Sequence, residues 1–332
     1  MRLRRLLPRW ARGKDQAARP SPRGHTNFDK LAFDIPAEVH DVPPAALRDD
    51  LTIAAVVRNE APYMREWVAF HLAVGADRLL IYDNGSTDGL AAVLADFVAL
   101  GVVEIIPWPH FIDRTDFQKT GMAHAIVYTR RTTRWLALID ADEFLFSPTG
   151  RPLPDILRGY ESCPAVIVYW VNFGTSGHFD PPAGLVTESY RMRAVDSFPG
   201  NLLHKSIVNP ALVRSVWGSH RFGFDQYPVA GCDENRQPVT EGDAARVHSS
   251  RLLRINHYYS RSRSEFETKL KHGRARHKPY LVEEKQRFLQ ALESDQVEDW
   301  TIQQFLPELR AWLEHPGLAF ERRKGSAPPS LR

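Results

Sequence analysis

Between residues 51 and 139 the apolar positions of the chain switch repeatedly between two spacings. Residues 51–57 form a short apolar run rich in β-branched side chains and predict a strand. Behind Pro62, which suits a first helical turn, Tyr63, Trp67, Phe70 and Val74 recur at helical spacing up to Gly75. Residues 78–82 predict a second strand. Leu90, Val93, Leu94, Phe97 and Val98 then mark a second helix, stopped by Gly101. Residues 102–106, 116–131 and 135–139 predict a strand, a helix and a fourth strand. Such alternation predicts an α/β fold with a mainly parallel sheet covered on both faces. Further on, residues 166–170 read as a strand, and residues 283–294 and 302–314 have the amphipathic spacing of helices packed on the sheet. Ser264 and Glu267 fit a capping box, so they need no catalytic role.

Composition sharpens this in three ways. The 43 Lys and Arg against 40 Asp and Glu are unevenly spread, with basic ends and a net negative centre. An acidic centre is a poor surface for nucleic acid and suits a divalent cation that bridges carboxylates to a phosphorylated ligand. Residues 1–24 and 324–332 hold too few apolar side chains to pack and read as flexible tails, with residues 25–50 an irregular lead-in. Leu3, Leu6, Leu7 and Trp10 lie at helical spacing among arginines, a pattern also suited to peripheral contact with an anionic membrane. No run reaches the ~18 apolar residues of a membrane span, and the first residues lack the apolar core of a signal peptide. Two cysteines in 332 residues argue against a disulfide framework. The expectation is a cytoplasmic protein, peripheral at most to the inner face of a membrane.

In an open parallel sheet, ligands bind where the strands end. Here those ends read Arg58-Asn59-Glu60, Asp83-Asn84-Gly85 and Asp140-Ala141-Asp142-Glu143. Asp140 and Asp142, two residues apart as a strand runs out, point to one side. Two like charges that close repel unless a cation stands between them, which suits Mg2+ or Mn2+ completed by a diphosphate. Read blandly, the same residues are an acidic surface turn. Asp83 could accept hydrogen bonds from a nucleobase or ribose, or merely cap its turn, with Thr87 or Asp88 starting the next helix. Glu60 faces the same rim, or is a first-turn glutamate favoured by the helix dipole. Neither a G-x-G-x-x-G nor a G-x-x-x-x-G-K-[ST] stands in a fitting context.

Taken together, Val56-Val57-Arg58-Asn59-Glu60, Glu66-Trp67, Asp83 to Asp88 and Trp135 to Phe144 resemble the nucleotide-sugar domain of GT-A glycosyltransferases. The group most resembled is glycosyltransferase family 92, allied to family 2. Lys205-Ser206-Ile207-Val208-Asn209-Pro210 with His220, and Asn256-His257-Tyr258-Tyr259 with Ser264-Glu265-Phe266, Lys269 and Gly273, resemble its later blocks. The resemblance covers about residues 51–275. It implies a Rossmann-like GT-A domain with a nucleotide-sugar half (51–150) and an acceptor half (151–275), followed by C-terminal helices (276–323). Glu60 and Asp83 would hold the nucleoside with Arg58 and Asn59 nearby. Asp140 and Asp142 would hold the metal and diphosphate, with His257 a late metal ligand. Lys205 and His220 would reach the diphosphate or acceptor, a solvated strand edge being the alternative for Lys205. Between Trp108 and Lys119 only Gln118 matches the family.

The implied chemistry is metal-dependent, inverting transfer of a sugar from a nucleotide-diphosphate donor, UDP-linked by expectation, to a glycan or lipid-linked hydroxyl. A cation at Asp142 would stabilise the leaving diphosphate. The acceptor hydroxyl needs a base, for which Asp180, Asp225, Asp233 and Glu241 are candidates and Asp225 is preferred. Two other readings compete: a nucleotidyltransferase, which lacks its glycine-rich phosphate loop here, and a non-catalytic sugar- or nucleotide-binding protein. The glycines and aromatics of residues 172–178 suit a sugar-binding rim, although Trp170 reads as core.

Overall fold

The computed structural model describes residues 33–35, 47–108, 117–218, 220–225, 230–240, 249–272 and 279–326. The expected basic tail (1–24), most of the lead-in, Glu241, Gly273 and residues 327–332 lie outside them. The centre is a ten-stranded mixed sheet. Along its main path the order is Pro238–Val239, Gly231–Cys232, Ala165–Asn172, His204–Val208, Thr133–Leu138, Asp49–Val57, Arg78–Asp83 and Val103–Pro107. The last four run parallel, as the alternation with helices predicts. His204–Val208 is inserted antiparallel between Thr133–Leu138 and Ala165–Asn172. Two antiparallel steps restore direction, so Asn172 ends at the same sheet edge as Asp140.

Both faces are covered because successive strand side chains alternate. Leu51, Ile53, Ala55 and Val57 pack with Trp67 and Phe70 on one side, and Ala54, Leu80 and Tyr82 pack with Met122 and Ile126 on the other. The helix Ala61–Ala73 starts one residue before Pro62, and the loop beyond the neighbouring strand caps it: Asp88 Oδ2 accepts the Ala61 N–H at 2.8 Å. Asp88 therefore serves this helix and not the following one. The single helix expected over residues 90–98 is two short pieces, Leu90–Val93 and Ala95–Ala99. The capping box also shifts. Helix Arg263–His272 opens at Ser262, whose N–H and hydroxyl both go to Glu265 Oε2, at 3.0 and 2.5 Å. The C-terminal helices are Pro279–Glu293, Leu306–Glu314 and Pro316–Ser326. From the last of them Arg323 donates to the carbonyls of Leu72, Gly75 and Ala76, closing the C-terminal end of Ala61–Ala73. Among the described residues no helix is long and apolar enough to cross a membrane.

One expectation is overturned. Cys163 and Cys232 form a disulfide, with Cα atoms 6.0 Å apart across 69 residues. The bridge follows from topology: Gly231–Cys232 pairs parallel with Ala165–Asn172, Cys232 opposite Val166, which brings Cys232 beside Cys163. Closing so long a loop removes unfolded-state entropy. Replacing both cysteines by alanine is expected to cost about 2–4 kcal/mol, read as a lower thermal midpoint. Two reactive thiols in the untreated native chain would show that no bridge forms.

Candidate functional site

The acidic strand ends gather at one edge and are laced by hydrogen bonds. Asn59 takes φ 55°, the left-handed region that asparagine tolerates better than most side chains. Its N–H reaches Ser86 Oγ at 3.0 Å, and its Oδ1 accepts the Thr87 N–H at 2.8 Å. Asp83 Oδ1 accepts the Ser86 N–H at 2.8 Å, holding the turn of Asp83 to Asp88 against Asn59. Asp83 thus does cap its own turn through Oδ1. Arg58 is exposed at the same strand end.

The second strand end is built differently at each carboxylate. Asp140 has both oxygens engaged: Gln118 Nε2 at 2.7 Å on Oδ1 and Lys205 Nζ at 2.8 Å on Oδ2. Asp140, expected with Asp142 to hold metal and diphosphate, has its Oδ2 paired here with a buried ammonium. Lys205 is 1 % exposed and also lies 3.6 Å from Glu143 Oε2. Glu143 is fully buried, takes the Asp140 N–H on Oε2, and leaves Oε1 without a hydrogen bond. Burial pushes its carboxyl well above the usual range, against the pull of Lys205. Burial lowers the Lys205 ammonium less than Asp140 and Glu143 raise it, so Lys205 stays charged.

Asp142, on the same turn, is mostly buried, its side chain 14 % exposed. Burial alone would raise its carboxyl, but Lys269, His257 and Arg261 hold it below the usual carboxylate range. Lys269 Nζ lies 2.7 Å from Oδ2, and His257 Nε2 lies 3.8 Å from Oδ1. Burial lowers His257 to about 4, so the ring is neutral at pH 7 and the two cations carry the effect there. The tautomer is set from behind. Asn201 Nδ2 donates to the Val195 carbonyl, so Asn201 Oδ1 accepts from Asn172 Nδ2, and Asn172 Oδ1 faces His257 Nδ1 at 3.0 Å. His257 Nδ1 is then the protonated nitrogen, and Nε2 presents its lone pair toward Asp142.

His257 arrives by sheet register. Glu143–Phe146 pairs antiparallel with Arg254–His257, which runs parallel to the end of Ala165–Asn172, so His257 stands opposite both Glu143 and Asn172. Trp170 is core, as expected, its ring 4.2 Å from that of His257 and 5.5 Å from that of His220. His220 Nδ1 meets the His204 carbonyl at 2.6 Å, and burial lowers its pKa.

Arg261 is the residue that reading the sequence missed. Its Nη1 lies 2.8 Å from Glu60 Oε2 and its Nη2 lies 3.3 Å from the Ala141 carbonyl, while the guanidinium stacks 3.7 Å above the Tyr63 ring centroid. It ties the first strand end to the D-x-D turn. Its own φ of 49° could not be foreseen from sequence. Of the candidate bases, the preferred Asp225 has a side chain 67 % exposed and ion-paired with Arg214 at 2.7 Å. Asp233 is buried and spent on the N–H groups of Asn235 and Gln237. Asp180 is exposed beside Phe179. Phe179 lines a cavity of about 380 Å³ with Thr175, Gly177, His178, Arg263, Glu293 and Gln296.

Comparison with known proteins bears on this arrangement. The profile of glycosyltransferase family 92 matches residues 53–304. The chain belongs to glycosyltransferase family 92. A family 92 protein of Oryza sativa subsp. japonica is 28 % identical over 236 residues, covering 66 % of this chain and 40 % of the relative. One of Ricinus communis is 32 % identical over 172 residues, covering 50 % and 30 %. The chain thus spans less than half the length of the curated relatives it matches. Among solved structures it is similar to S. aureus TarS, residues 1–349, with a TM-score of 0.34 at 11 % identity, covering 82 % of this chain and 74 % of that one. The α/β sheet of this family 92 chain has the mainly parallel, helix-flanked form expected of the GT-A type. Its D-x-D turn, the N-H-Y-Y block and Lys205 all lie inside the matched region.

The donor set fits a divalent cation in part. A carboxylate oxygen and a neutral imidazole nitrogen face each other at Asp142 and His257, the chemistry that Mn2+ or Mg2+ accepts. Among the described residues no three His, Cys, Asp or Glu side chains gather to hold a metal unaided. The protein offers a pair, and further positions would be left to ligand oxygens.

Proposed function

We propose that this family 92 chain is a metal-dependent, inverting glycosyltransferase that moves a sugar from a nucleotide-diphosphate donor, UDP-linked, to a hydroxyl of a glycan or lipid-linked acceptor. The observation that carries this reading is the alternation of carboxylates and cations along one sheet edge. Glu60 with Arg261, Asp140 with Lys205, and Asp142 with Lys269 make a surface that can meet a polyanion and a cation together. Asp142 and His257 would hold the divalent cation, which would supply Lewis-acid stabilisation of the departing diphosphate. Asp83 and Glu60 would orient the nucleoside at the neighbouring strand ends. Lys205, desolvated and charged, fixes the position of Asp140 and adds positive potential beneath the diphosphate.

In the reaction, the bond from the sugar anomeric carbon to the diphosphate oxygen breaks and its electrons leave on the diphosphate. The acceptor oxygen forms the new bond from the opposite face and loses its proton to a base. The acceptor side would be the cavity by Phe179, whose exposed ring and polar neighbours suit a sugar face, with Asp180, exposed and next to Phe179 in the chain, as the base in place of the expected Asp225. The Cys163–Cys232 bridge supports an oxidising compartment over the cytoplasm expected from the cysteine count.

The test is turnover across a panel of nucleotide sugars with Mn2+, Mg2+ or EDTA. The expected result is metal-dependent release of one nucleoside diphosphate, with the product's anomeric configuration inverted by NMR. If no donor turns over and no nucleotide raises the melting temperature with metal present, the reading is wrong.

A further inference from the structure

Asp142 is already neutralised by a side chain of its own chain. Lys269, on the helix Arg263–His272, places Nζ 2.7 Å from Asp142 Oδ2 and 3.2 Å from the Tyr259 carbonyl. The two lysines of the site differ in one respect. Lys205 is 1 % exposed and locked between two carboxylates, whereas the Lys269 side chain is 44 % exposed. One cation is built into the core and the other is partly open to solvent. An ammonium on a flexible four-carbon stem, with three rotatable donors, can change partners without a backbone shift.

A diphosphate that reaches Asp142 brings its own negative charge. That approach is repulsive unless a cation moves with it. Arg261 is held on three sides by Glu60, the Ala141 carbonyl and the Tyr63 ring, which leaves it little freedom to turn. Lys269 has no such clamp: its partners are Asp142, the Tyr259 carbonyl and the Tyr259 ring at 5.0 Å.

We propose that Lys269 is the counter-ion of Asp142 in the free enzyme and becomes a ligand of the donor's diphosphate when the donor binds, releasing Asp142 Oδ2. The inference rests on the nucleotide-sugar reading of the site. It assigns Lys269 two roles of opposite sign. It competes with any divalent cation for Asp142, and it attracts the diphosphate. A purely structural lysine would weaken both kinds of binding when removed, or neither.

The experiment compares the full chain with Lys269→Met and Lys269→Arg. Calorimetry with UDP and with inorganic pyrophosphate is done in EDTA, and Mn2+ binding is followed separately by electron paramagnetic resonance. The expected result for Lys269→Met is metal-free pyrophosphate and UDP binding weaker by about tenfold or more, the loss of one charge-assisted hydrogen bond. Mn2+ binding should tighten severalfold in the same variant. Lys269→Arg keeps the charge and should retain anion binding. Anion binding unchanged in Lys269→Met, or Mn2+ binding that weakens, overturns the proposal. If the wild-type chain binds neither probe with or without Mn2+, the nucleotide-sugar reading falls and this inference falls with it. Melting temperatures of both variants within a few degrees of wild type show that the helix is intact.

Discussion

Replacing Asp142 by asparagine is expected to lower the rate of sugar transfer by about 10²–10³-fold, with KM for the donor changed much less. The substitution is nearly isosteric, so the turn and its backbone bonds, including the Tyr258 N–H to the Asp142 carbonyl, persist. What is lost is the charge that faces His257 and Lys269. On the proposed nucleotide-sugar reading, Asp142 would hold the cation that stabilises the leaving diphosphate, so losing its charge would weaken that stabilisation and the effect is expected chiefly on kcat. A stability signature accompanies it. The folded-state pKa of Asp142 is depressed, so its charge stabilises the fold above the unfolded carboxyl pKa of about 3.9 and that contribution fades as pH falls below it. Thermal melts of wild type and variant should therefore differ by a nearly constant amount from pH 7 to about pH 4 and converge only below it. A variant that transfers sugar at the wild-type rate would place the chemistry elsewhere.

Replacing Lys205 by methionine is expected to be the most destabilising single change at the site, by about 3–5 kcal/mol. For a domain this large that is a fall of about 6–10 °C in melting temperature. The reason is desolvation: Glu143 is 0 % exposed and cannot turn to water once its cation is gone. Asp140, whose side chain is 33 % exposed, can do so in part, which holds the loss toward the lower end. Adding Glu143→Gln to the variant should restore much of the stability, because the uncompensated buried charge is then absent. The pH dependence has a definite sign. The folded-state pKa of Glu143 is already raised, so the fold is penalised as pH rises above the unfolded value, and without Lys205 the penalty grows. The gap between variant and wild type should widen from pH 5 to pH 8. A gap that is flat with pH, or absent, would mean that Glu143 is not ionised beside Lys205.

Much of the sheet was legible because its signals are local. Buried strands, helical spacing behind Pro62 and polar strand ends all depend on residues within a few positions of one another. That locality carried the D-x-D turn, Asp83 and the four parallel strands, each within a few residues of the observed ends. It failed where a residue has a local and a distant use. Asp88 and the Ser264–Glu267 pair had plausible local roles, yet the fold gave Asp88 to another helix and the capping box to Ser262 and Glu265. Glu143, adjacent to Asp142, read as one more acidic residue of the rim. Strand alternation turned it inward instead, into full burial.

The amino-acid order alone determined the α/β class and placed the acidic residues at strand ends, since periodicity and turn chemistry are properties of short windows. Only the tertiary structure decided their partners. Lys269 reaches Asp142 across 127 residues, Lys205 reaches Asp140 across 65, Arg261 reaches Glu60 across 201 and Cys163 meets Cys232 across 69. The Lys205 and cysteine pairings follow from sheet register and from the antiparallel insertion of His204–Val208. Those of Arg261 and Lys269 follow from how the helix Arg263–His272 and the loop before it pack on the sheet edge. Both are energy minima of the whole packed domain that no short window contains.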